Sequence, residues 1–319
     1  MASSSSVARD YDVQLRRAET LSSAHPESKE ILAFYSKILS FQKSLAAELA
    51  SPLQRASLHE RDSHQFASLR HSLDLTLLLP HFRPFLSLVG QRAPTALATA
   101  AHELSTLPTD DWISLLSSYW QSGSLPDGSP GGGGFQPPRD ATPDVRALAP
   151  EESVSDSKGS SDRYDLSIAN PLAHFFPRAF LQPYAALLAS QSAIPPLAST
   201  PNLCPLCGAL PVLGILRPEG DGAKRSLLCA FCSTEWNFRR LLCPSCGETG
   251  ETKLPVFIAE QFPYIRTEAC ETCRTYLRTI DLSKDGHAIP TVDDLAALPL
   301  SLWAHEHHYS RLHPNLLST

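Results

Sequence analysis

The pattern of apolar and polar positions divides the chain into an N-terminal helical part and a later part made of short strands. Over residues 1–121, apolar side chains recur three and four positions apart, the spacing of one helix face. We predict a helix break at Pro52, short helices interrupted by proline between residues 73 and 88, and another helix from Asp110. The pattern therefore indicates a helical N-terminal domain.

Residues 122–163 lack this periodicity and contain seven of the fifteen glycines of the chain. A segment so rich in Gly, Pro and Ser cannot bury a core, so we predict a flexible linker or surface insertion. Apolar positions return in residues 164–200. There we expect a helical connector of two short helices, the second at residues 180–190, that packs with the N-terminal domain.

From residue 201 the apolar period shortens to two, which is typical of strands. Five strands are predicted between turns, at residues 212–216, 226–228, 235–242, 254–258 and 276–282. A last helical segment should begin at Thr291, where Asp294 completes a pattern like a capping box, and Pro299 should break or restart it. The expected fold class is α+β: a helical N-terminal domain, two small β knuckles over residues 201–282, and a short C-terminal helix with a tail over 283–319.

Composition and charge narrow the class of protein. A length of 319 residues suggests about two domains, and 42% apolar residues fit a globular chain. The net charge of −6 disfavours a nucleic-acid binder. No apolar run approaches the ~20 residues of a membrane helix, and the N-terminus lacks the apolar core of a secretory signal. We therefore expect a cytoplasmic protein without stable membrane insertion.

The eight cysteines carry the candidate chemistry. They form four CxxC pairs separated by 21, 10 and 23 residues, and no cysteine is left over. The two thiolates of a pair can bind one metal ion, and Gly208 and Gly247 suit the positive φ that such turns need. The intervals predict two Cys₄ sites, with Cys204, Cys207, Cys229 and Cys232 in the first and Cys243, Cys246, Cys270 and Cys273 in the second. A crossed pairing of the first pair with the third stays open.

Several other chemistries are disfavoured. Disulfides do not suit a reducing cytoplasm, and a thioredoxin-like dithiol needs one CxxC in a βαβ unit. Four thiolates fill a tetrahedral site, so a non-catalytic, structural metal is favoured, and zinc and iron both accept this ligand set. Residues 204–278 contain nine Lys and Arg against eight Asp and Glu. Because each loaded site adds negative charge, nucleic-acid binding is again disfavoured.

The remaining polar clusters are expected to be structural. Asp293 and Asp294 fit the first turn of a helix without any catalytic role. The late histidines do not form an HExxH pattern. We expect them at the surface: His287, His305, His307, His308 and His313.

Three segments around the cysteines resemble the formate dehydrogenase accessory protein (FdhE) family: CPLCGALPVLGIL, LLCAFCSTEWNFRRLLCPSCG and RTEACETCRTYLRTIDL. The similarity continues in PTVDDLAALPLSLWA and HHYSRLHPNLL and, more weakly, in ANPLAHFFPRAFLQPYAALLA, so that it covers residues 165–317. The resemblance implies two rubredoxin-like or zinc-ribbon-like knuckles after a helical region. It also implies a non-enzymatic cytoplasmic factor that binds the catalytic subunit of formate dehydrogenase during maturation. Iron thereby becomes a candidate beside zinc.

Three positions depart from the pattern of that family. Asn237 stands where His is frequent, Ser301 where Asp is common, and His308 where Gly is usual. All eight cysteines are present, so the predicted metal sites are unaffected. The departures weaken the expectation that the helix around Ser301 and the tail contribute to partner recognition.

The segment between the two predicted sites is the candidate partner surface. Trp and Arg are frequent interface anchors, which singles out Trp236, Arg239 and Arg240, with Glu235 beside them. Core packing is the alternative for Trp236, and a solvated face is the alternative for the arginines. Two other functions stay open, an iron-containing electron- or sulfur-transfer protein acting on the same enzyme and a zinc-ribbon nucleic-acid binder. A homodimer is compatible with the sequence.

Overall fold

The computed structural model describes residues 4–59, 69–122, 171–194 and 201–317. Apart from Ser122, which ends a helix, the linker predicted at residues 122–163 lies outside these ranges. The described part begins with helices and continues into one sheet followed by two short helices. The chain is thus α+β, as the sequence predicts.

Among the described residues, six α-helices form the N-terminal part of the molecule. They are α1 (Ser4–Ala24), α2 (Lys29–His59), α3 (Leu75–Arg92), α4 (Thr95–Thr106), α5 (Thr109–Ser122) and α6 (Pro171–Gln191). Three predictions about prolines are wrong. Pro52 does not end α2, α3 is continuous through its two prolines, and α6 is one helix where two were expected.

Burial and side-chain donors explain why α6 continues through its prolines. A proline inside a helix leaves the carbonyl four residues earlier without a donor. Pro183 does this to the carbonyl of Ala179, and the buried side chain of Gln42 donates to that carbonyl at 2.7 Å. The aromatic face of α6 also packs tightly: the Phe180 ring lies 4.9 Å from that of Phe82 and 5.6 Å from that of Phe85. These contacts offset the missing helical hydrogen bonds.

Within residues 201–317, all of which the structure describes, seven strands form a single sheet. They are β1 (Pro211–Glu219), β2 (Gly222–Cys229), β3 (Glu235–Asn237), β4 (Val256–Ile258), β5 (Ile265–Ala269), β6 (Thr275–Asp281) and β7 (Ser310–Arg311). The order is β3-β2-β1-β6-β5-β4, with β7 beside β6. Strands β5 and β7 were not predicted, and β3 is shorter than residues 235–242. Residues 238–242, which were predicted to continue this strand, instead connect the two halves of the sheet. In this connection the carbonyl of Arg239 accepts a hydrogen bond from the Arg225 side chain at 2.8 Å.

A parallel pairing of β1 with β6 joins the two halves of the sheet. The pairings of β3 with β2, β2 with β1, β6 with β5 and β5 with β4 are antiparallel, and the short β7 pairs with β6 in parallel. Gly214 faces Thr279 across this joint. A Cβ atom at Gly214 would lie only 2.2 Å from Thr279 Oγ1, so the strands meet where no larger side chain fits. The two predicted knuckles are therefore halves of one sheet.

The C-terminal helical segment contains two helices, α7 (Pro290–Ala296) and α8 (Leu298–Glu306). The expected cap at Thr291 and Asp294 is wrong. Ile289 is the N-cap residue, and its N–H donates to Asp293 Oδ2 at 2.7 Å. Asp293 also receives Arg17 from α1, with Nε at 3.0 Å from Oδ2, which ties the first helix to the C-terminal segment.

Among the described residues, no helix has the length and apolarity needed to cross a membrane.

Candidate metal centres

The eight cysteine sulfurs form two groups of four. The first contains Cys204, Cys207, Cys229 and Cys232, and the second contains Cys243, Cys246, Cys270 and Cys273. Within each group all sulfurs lie within 4.8 Å of one another, and none is in a disulfide. The uncrossed arrangement, in which the first CxxC pair joins the second, is the one that the structure has.

The sulfur separations suit a tetrahedral metal. In the first group, Sγ of Cys204 lies 3.5 Å from that of Cys232, and Sγ of Cys207 lies 3.4 Å from that of Cys229. The corresponding distances in the second group are 3.8 and 3.6 Å. A metal ion with bonds of about 2.3 Å to four thiolates places them about 3.8 Å apart. Both groups therefore fit zinc or iron by donor type and spacing.

Each CxxC pair folds into the same turn. The residue after the second cysteine has a positive φ in all four: 74° at Gly208, 58° at Ser233, 78° at Gly247 and 56° at Arg274. In each turn the N–H of the first cysteine donates to a carbonyl five residues later, at 2.9 Å. Sequence reasoning found this conformation at the two glycines and missed it at Ser233 and Arg274.

Two threonines in equivalent places approach the sulfurs. Cys232 Sγ lies 3.0 Å from Thr234 Oγ1, and Cys273 Sγ lies 2.9 Å from Thr275 Oγ1. Hydroxyl donors stabilise thiolates, because they compensate the negative charge on sulfur. The sequence analysis overlooked both residues, although aligning CSTEW with CRTYL would have shown the shared Thr two positions after a cysteine.

The first centre is embedded in the helical part of the molecule. All four of its cysteines are at most 3% exposed. Phe231, between two of them, packs edge-on against Trp120 of α5 at 5.5 Å. Arg178 and Gln182 of α6 both donate to the carbonyl of Ala230 next to it, and Arg70 donates to the carbonyl of Cys207 at 2.7 Å. The helical part of the molecule thus contacts both CxxC turns of the first centre.

The second centre is held by its own half of the sheet. Cys243 and Cys270 are buried, but Cys246 and Cys273 are partly exposed. Hydrogen bonding to Cys243 lowers the pKa of Cys273 to about 4. Burial raises the pKa of Cys246 to about 11. A metal that binds four thiolates must displace protons from the thiols of raised pKa, so its binding releases protons.

Of the four predicted partner residues, one is buried, one is in an ion pair, and two are exposed. Trp236 is 3% exposed and donates through Nε1 to the carbonyl of Pro201, so it packs in the core, the alternative named for it. Glu235 pairs with Arg217 at 2.7 Å. Arg239 and Arg240 are exposed.

The acidic pair and one histidine are buried. Asp293 and Asp294 lie fully buried in ion pairs with arginines. His313 is 5% exposed, so the expectation of a surface position is wrong for this residue. His287 and His308 are exposed, as expected.

Sequence profiles of two domains match adjacent stretches of the chain. The profile named "FdhE, central domain" matches residues 203–240, and the profile named "FdhE, C-terminal domain" matches residues 241–318. The boundary between them separates the two cysteine groups. Residues 203–318 thus match the FdhE family. A protein FdhE homolog of Aquifex aeolicus (strain VF5) is 26% identical over 315 residues, which is 97% of this chain and 95% of that one.

Further FdhE proteins are similar to part of this chain or to its fold. A protein FdhE homolog of Stutzerimonas stutzeri (strain A1501) is 40% identical over 120 residues, covering 36% of this chain and 38% of its own. The crystal structure of the FdhE protein from Pseudomonas aeruginosa aligns with a TM-score of 0.58 at 23% identity. That alignment covers 100% of this chain and 97% of the other, and it shows the shared fold.

Two departures from the FdhE pattern have a structural explanation. His308 has a φ of 60°, a conformation in which the usual Gly would be free of strain. Ser301 receives a hydrogen bond from Nη2 of the buried Arg278.

Proposed function

We propose that this protein is a non-enzymatic accessory factor of formate dehydrogenase, which binds the catalytic subunit of that enzyme in the cytoplasm during its maturation. Similarity to the FdhE family supports an accessory role related to formate dehydrogenase. The observation that carries the proposal is the pair of complete tetrathiolate groups. All four positions of each tetrahedron are taken by protein sulfurs, so a bound metal would have no free position for a substrate.

The metals would act as scaffolds in this role. The first centre would fix the helical part against the sheet, because its ligands lie in the same core as α5 and α6. The second would fix the loops on either side of β4 and β5. A metal-held β region of this size presents a rigid surface without needing a large core of its own. We place the partner surface at Arg239 and Arg240, which are exposed between the two centres.

Three measurements test the proposal together. Deletion of the gene should abolish formate oxidation, and a plasmid copy should restore it. The catalytic subunit should co-purify with the tagged protein, and the purified protein should contain about two metal ions per chain. Cys207→Ser and Cys246→Ser should each lower the metal content, whereas Thr249→Ala, at an exposed position near the second centre, should not. Unchanged formate oxidation in the deletion strain would contradict the proposal.

A second candidate function rests on the partial exposure of the second centre. Iron bound there by Cys246 and Cys273 would lie near solvent, where electrons or sulfur could pass to the same enzyme. Protein purified without oxygen would then show a rubredoxin-like visible spectrum that bleaches and recovers reversibly. A colourless zinc protein with full accessory activity would exclude this candidate.

A further inference from the structure

The sheet ends in an open edge at β4. Strand β4 pairs with β5 alone, in the register Val256 to Glu268 and Ile258 to Arg266. The N–H of Ala269 donates to the carbonyl of Pro255 at 3.0 Å, so this pair is hydrogen bonded. Because hydrogen-bonded pairs alternate along an antiparallel ladder, Phe257 is bonded to β5 while Val256 and Ile258 direct their N–H and C=O groups outward.

These outward groups have no hydrogen-bond partner within the described ranges. An edge of this kind is a template for pairing with another chain, and proteins usually protect it with charges or prolines. Here the two residues that point outward are Val256 and Ile258, which are 47% and 49% exposed. The edge is therefore apolar as well as unpaired.

In the first half of the sheet, the strand edge equivalent to that of β4 is paired with another strand. Strand β1 and strand β4 occupy equivalent places in the two halves. Each lies between the two CxxC turns of its half and forms an antiparallel pair with the strand that follows it, β2 or β5. When the two strand pairs are compared by their registers, Gly214 corresponds to Val256 and Leu216 corresponds to Ile258. Gly214 and Leu216 are paired with β6, and the carbonyl of Leu216 accepts from Leu282 N at 2.9 Å. The same backbone groups that bind a strand in the first half are free in the second.

The side chains beside this edge form a cleft lined by both apolar and charged residues. The cleft has a volume of about 130 Å³ and includes Val256, Leu254 and Leu241, the last of which is 50% exposed. Phe257 points to the other face of the sheet, where its ring lies 4.6 Å from that of Trp303. The cleft lies next to the second centre, because Cys243 and Cys270 also line it.

The charge at the rim of the cleft selects an acidic partner. Two of its three arginines are neutralised within the protein: Arg225 pairs with Glu268 at 2.6 Å and Arg266 pairs with Asp281 at 2.8 Å. Arg240 is exposed and has no ion-pair partner among the residues that the structure describes. One uncompensated guanidinium therefore stands beside Leu241 at the mouth of the cleft.

We propose that the edge of β4 binds an extended segment of the client protein, which adds a strand through Val256 and Ile258, fills the cleft and places a carboxylate against Arg240. Strand addition uses backbone hydrogen bonds for affinity and side-chain pockets for specificity. This inference rests on the proposed function, since the client is the catalytic subunit of formate dehydrogenase.

Amide exchange of the full-length protein tests the geometry directly. In the free protein the amides of Val256 and Ile258 should exchange fast and that of Phe257 should exchange slowly. Addition of the purified catalytic subunit slows exchange at Val256 and Ile258 and leaves Phe257 unchanged. Slow exchange at both residues in the free chain would show that the edge is already occupied, by a second copy or by another segment of this chain, and would overturn the inference.

Matched variants separate the backbone, apolar and charge contributions to affinity. Ile258→Pro removes one outward N–H and leaves the bonds to β5 intact, so we expect binding of the catalytic subunit to weaken about tenfold or more. Ile258→Thr keeps that N–H and should weaken binding less. Arg240→Glu should weaken binding, whereas Arg92→Glu, an exposed residue at the end of α3, should not.

The outcomes distinguish this inference from the proposed function. If the wild-type protein fails to bind the catalytic subunit, both are overturned. If the wild type binds and Ile258→Pro and Arg240→Glu bind equally well, the docking edge is wrong and the accessory function stands. Unchanged metal content and thermal unfolding of each variant show that the fold is intact.

Discussion

At the scale of single residues, a buried carboxylate holds the C-terminal segment together. Asp294 accepts from Arg311 at 2.7 Å, from Asn315 at 3.0 Å and pairs with Arg278 at 3.0 Å, and its side chain is 1% exposed. Burial alone would raise the pKa of this carboxyl, but Arg311 and Arg278 outweigh it and the pKa is lowered. Asp294 is therefore ionised at neutral pH and balances two buried guanidinium groups.

Removal of this charge should destabilise the protein strongly. Asp294→Asn keeps the shape of the side chain but leaves two buried cations without their counter-charge. We expect the free energy of unfolding to fall by about 3–5 kcal/mol in urea titrations. Because the folded-state pKa is depressed, the contribution is present at neutral pH and is lost as pH falls through that pKa. Asp221→Asn, at an exposed hairpin turn, is the control and should change stability by less than about 0.5 kcal/mol.

Burial of His313 predicts a dependence of stability on pH. Burial, followed by the charge of Arg178, lowers the pKa of this imidazole to about 3. An unfolded chain binds that proton near pH 6.5. Protonation then favours the unfolded state, so this residue lowers stability by up to about 1.4 kcal/mol per pH unit as pH falls from about 6.5 to about 3.

Nuclear magnetic resonance can follow this histidine directly. The ring signals of His313 in the folded protein should not titrate above about pH 4, whereas a peptide of residues 309–317 should titrate near pH 6.5. A midpoint between pH 5 and 7 in the folded protein would mean that the ring is accessible to solvent.

At the scale of elements, the contact between β1 and β6 depends on one glycine. A Cβ at Gly214 would collide with the side chain of Thr279. We expect Gly214→Ala to lower the free energy of unfolding by about 1–3 kcal/mol, as overpacking does elsewhere. Gly222→Ala, where the nearest heavy atom would be 3.9 Å away, is the matched control. Thr279→Ala should partly rescue the Gly214→Ala variant in the same urea titrations. Without that rescue, steric conflict would not be the cause.

The elements themselves were predictable where local signals decide them. Helical spacing predicted the N-terminal helices, and the prolines misled because their effects are offset by distant partners, such as Gln42 for Ala179. Strand β7 has only two residues, too few to show alternation. Strand β5 alternates in burial, but its central buried residue is the polar Thr267, so the apolar pattern is weak in the sequence. Both strands pair with β6. The joint between β1 and β6 brings together residues far apart in sequence, for which no local pattern exists.

At the scale of the whole molecule, the two centres differ in their surroundings. The first is enclosed by α5, α6 and the knuckle that contains Phe231, while two ligands of the second are partly exposed. Cysteine spacing predicted the grouping of the sulfurs because each CxxC pair is a local unit. It could not predict this asymmetry, since burial of the first centre depends on helices remote in sequence.

The asymmetry should appear in metal release. A chelator in excess should remove metal in two phases, the faster from the second centre. Cys246→Ser should abolish the fast phase and keep the helical circular dichroism, because its centre is apart from the helices. Cys207→Ser should abolish the slow phase and reduce thermal stability, because its centre shares their core. A single release phase in the wild type would contradict the difference between the sites.

The parallel pairing of β1 with β6 has a consequence for polarity. If a client strand pairs with β4 in the way that β6 pairs with β1, the pairing is parallel and the client strand runs in the same direction as β4. Its amino-terminal end then lies at Pro255, beside Cys270 and the second centre, and its carboxyl-terminal end points toward Phe262. Two adjacent parallel strands of one chain cannot be joined by a tight turn, so the residues next to β4 in this chain could not fold back to supply that strand. The duplicated architecture thus gives the bound segment an orientation, with its first residues at the metal.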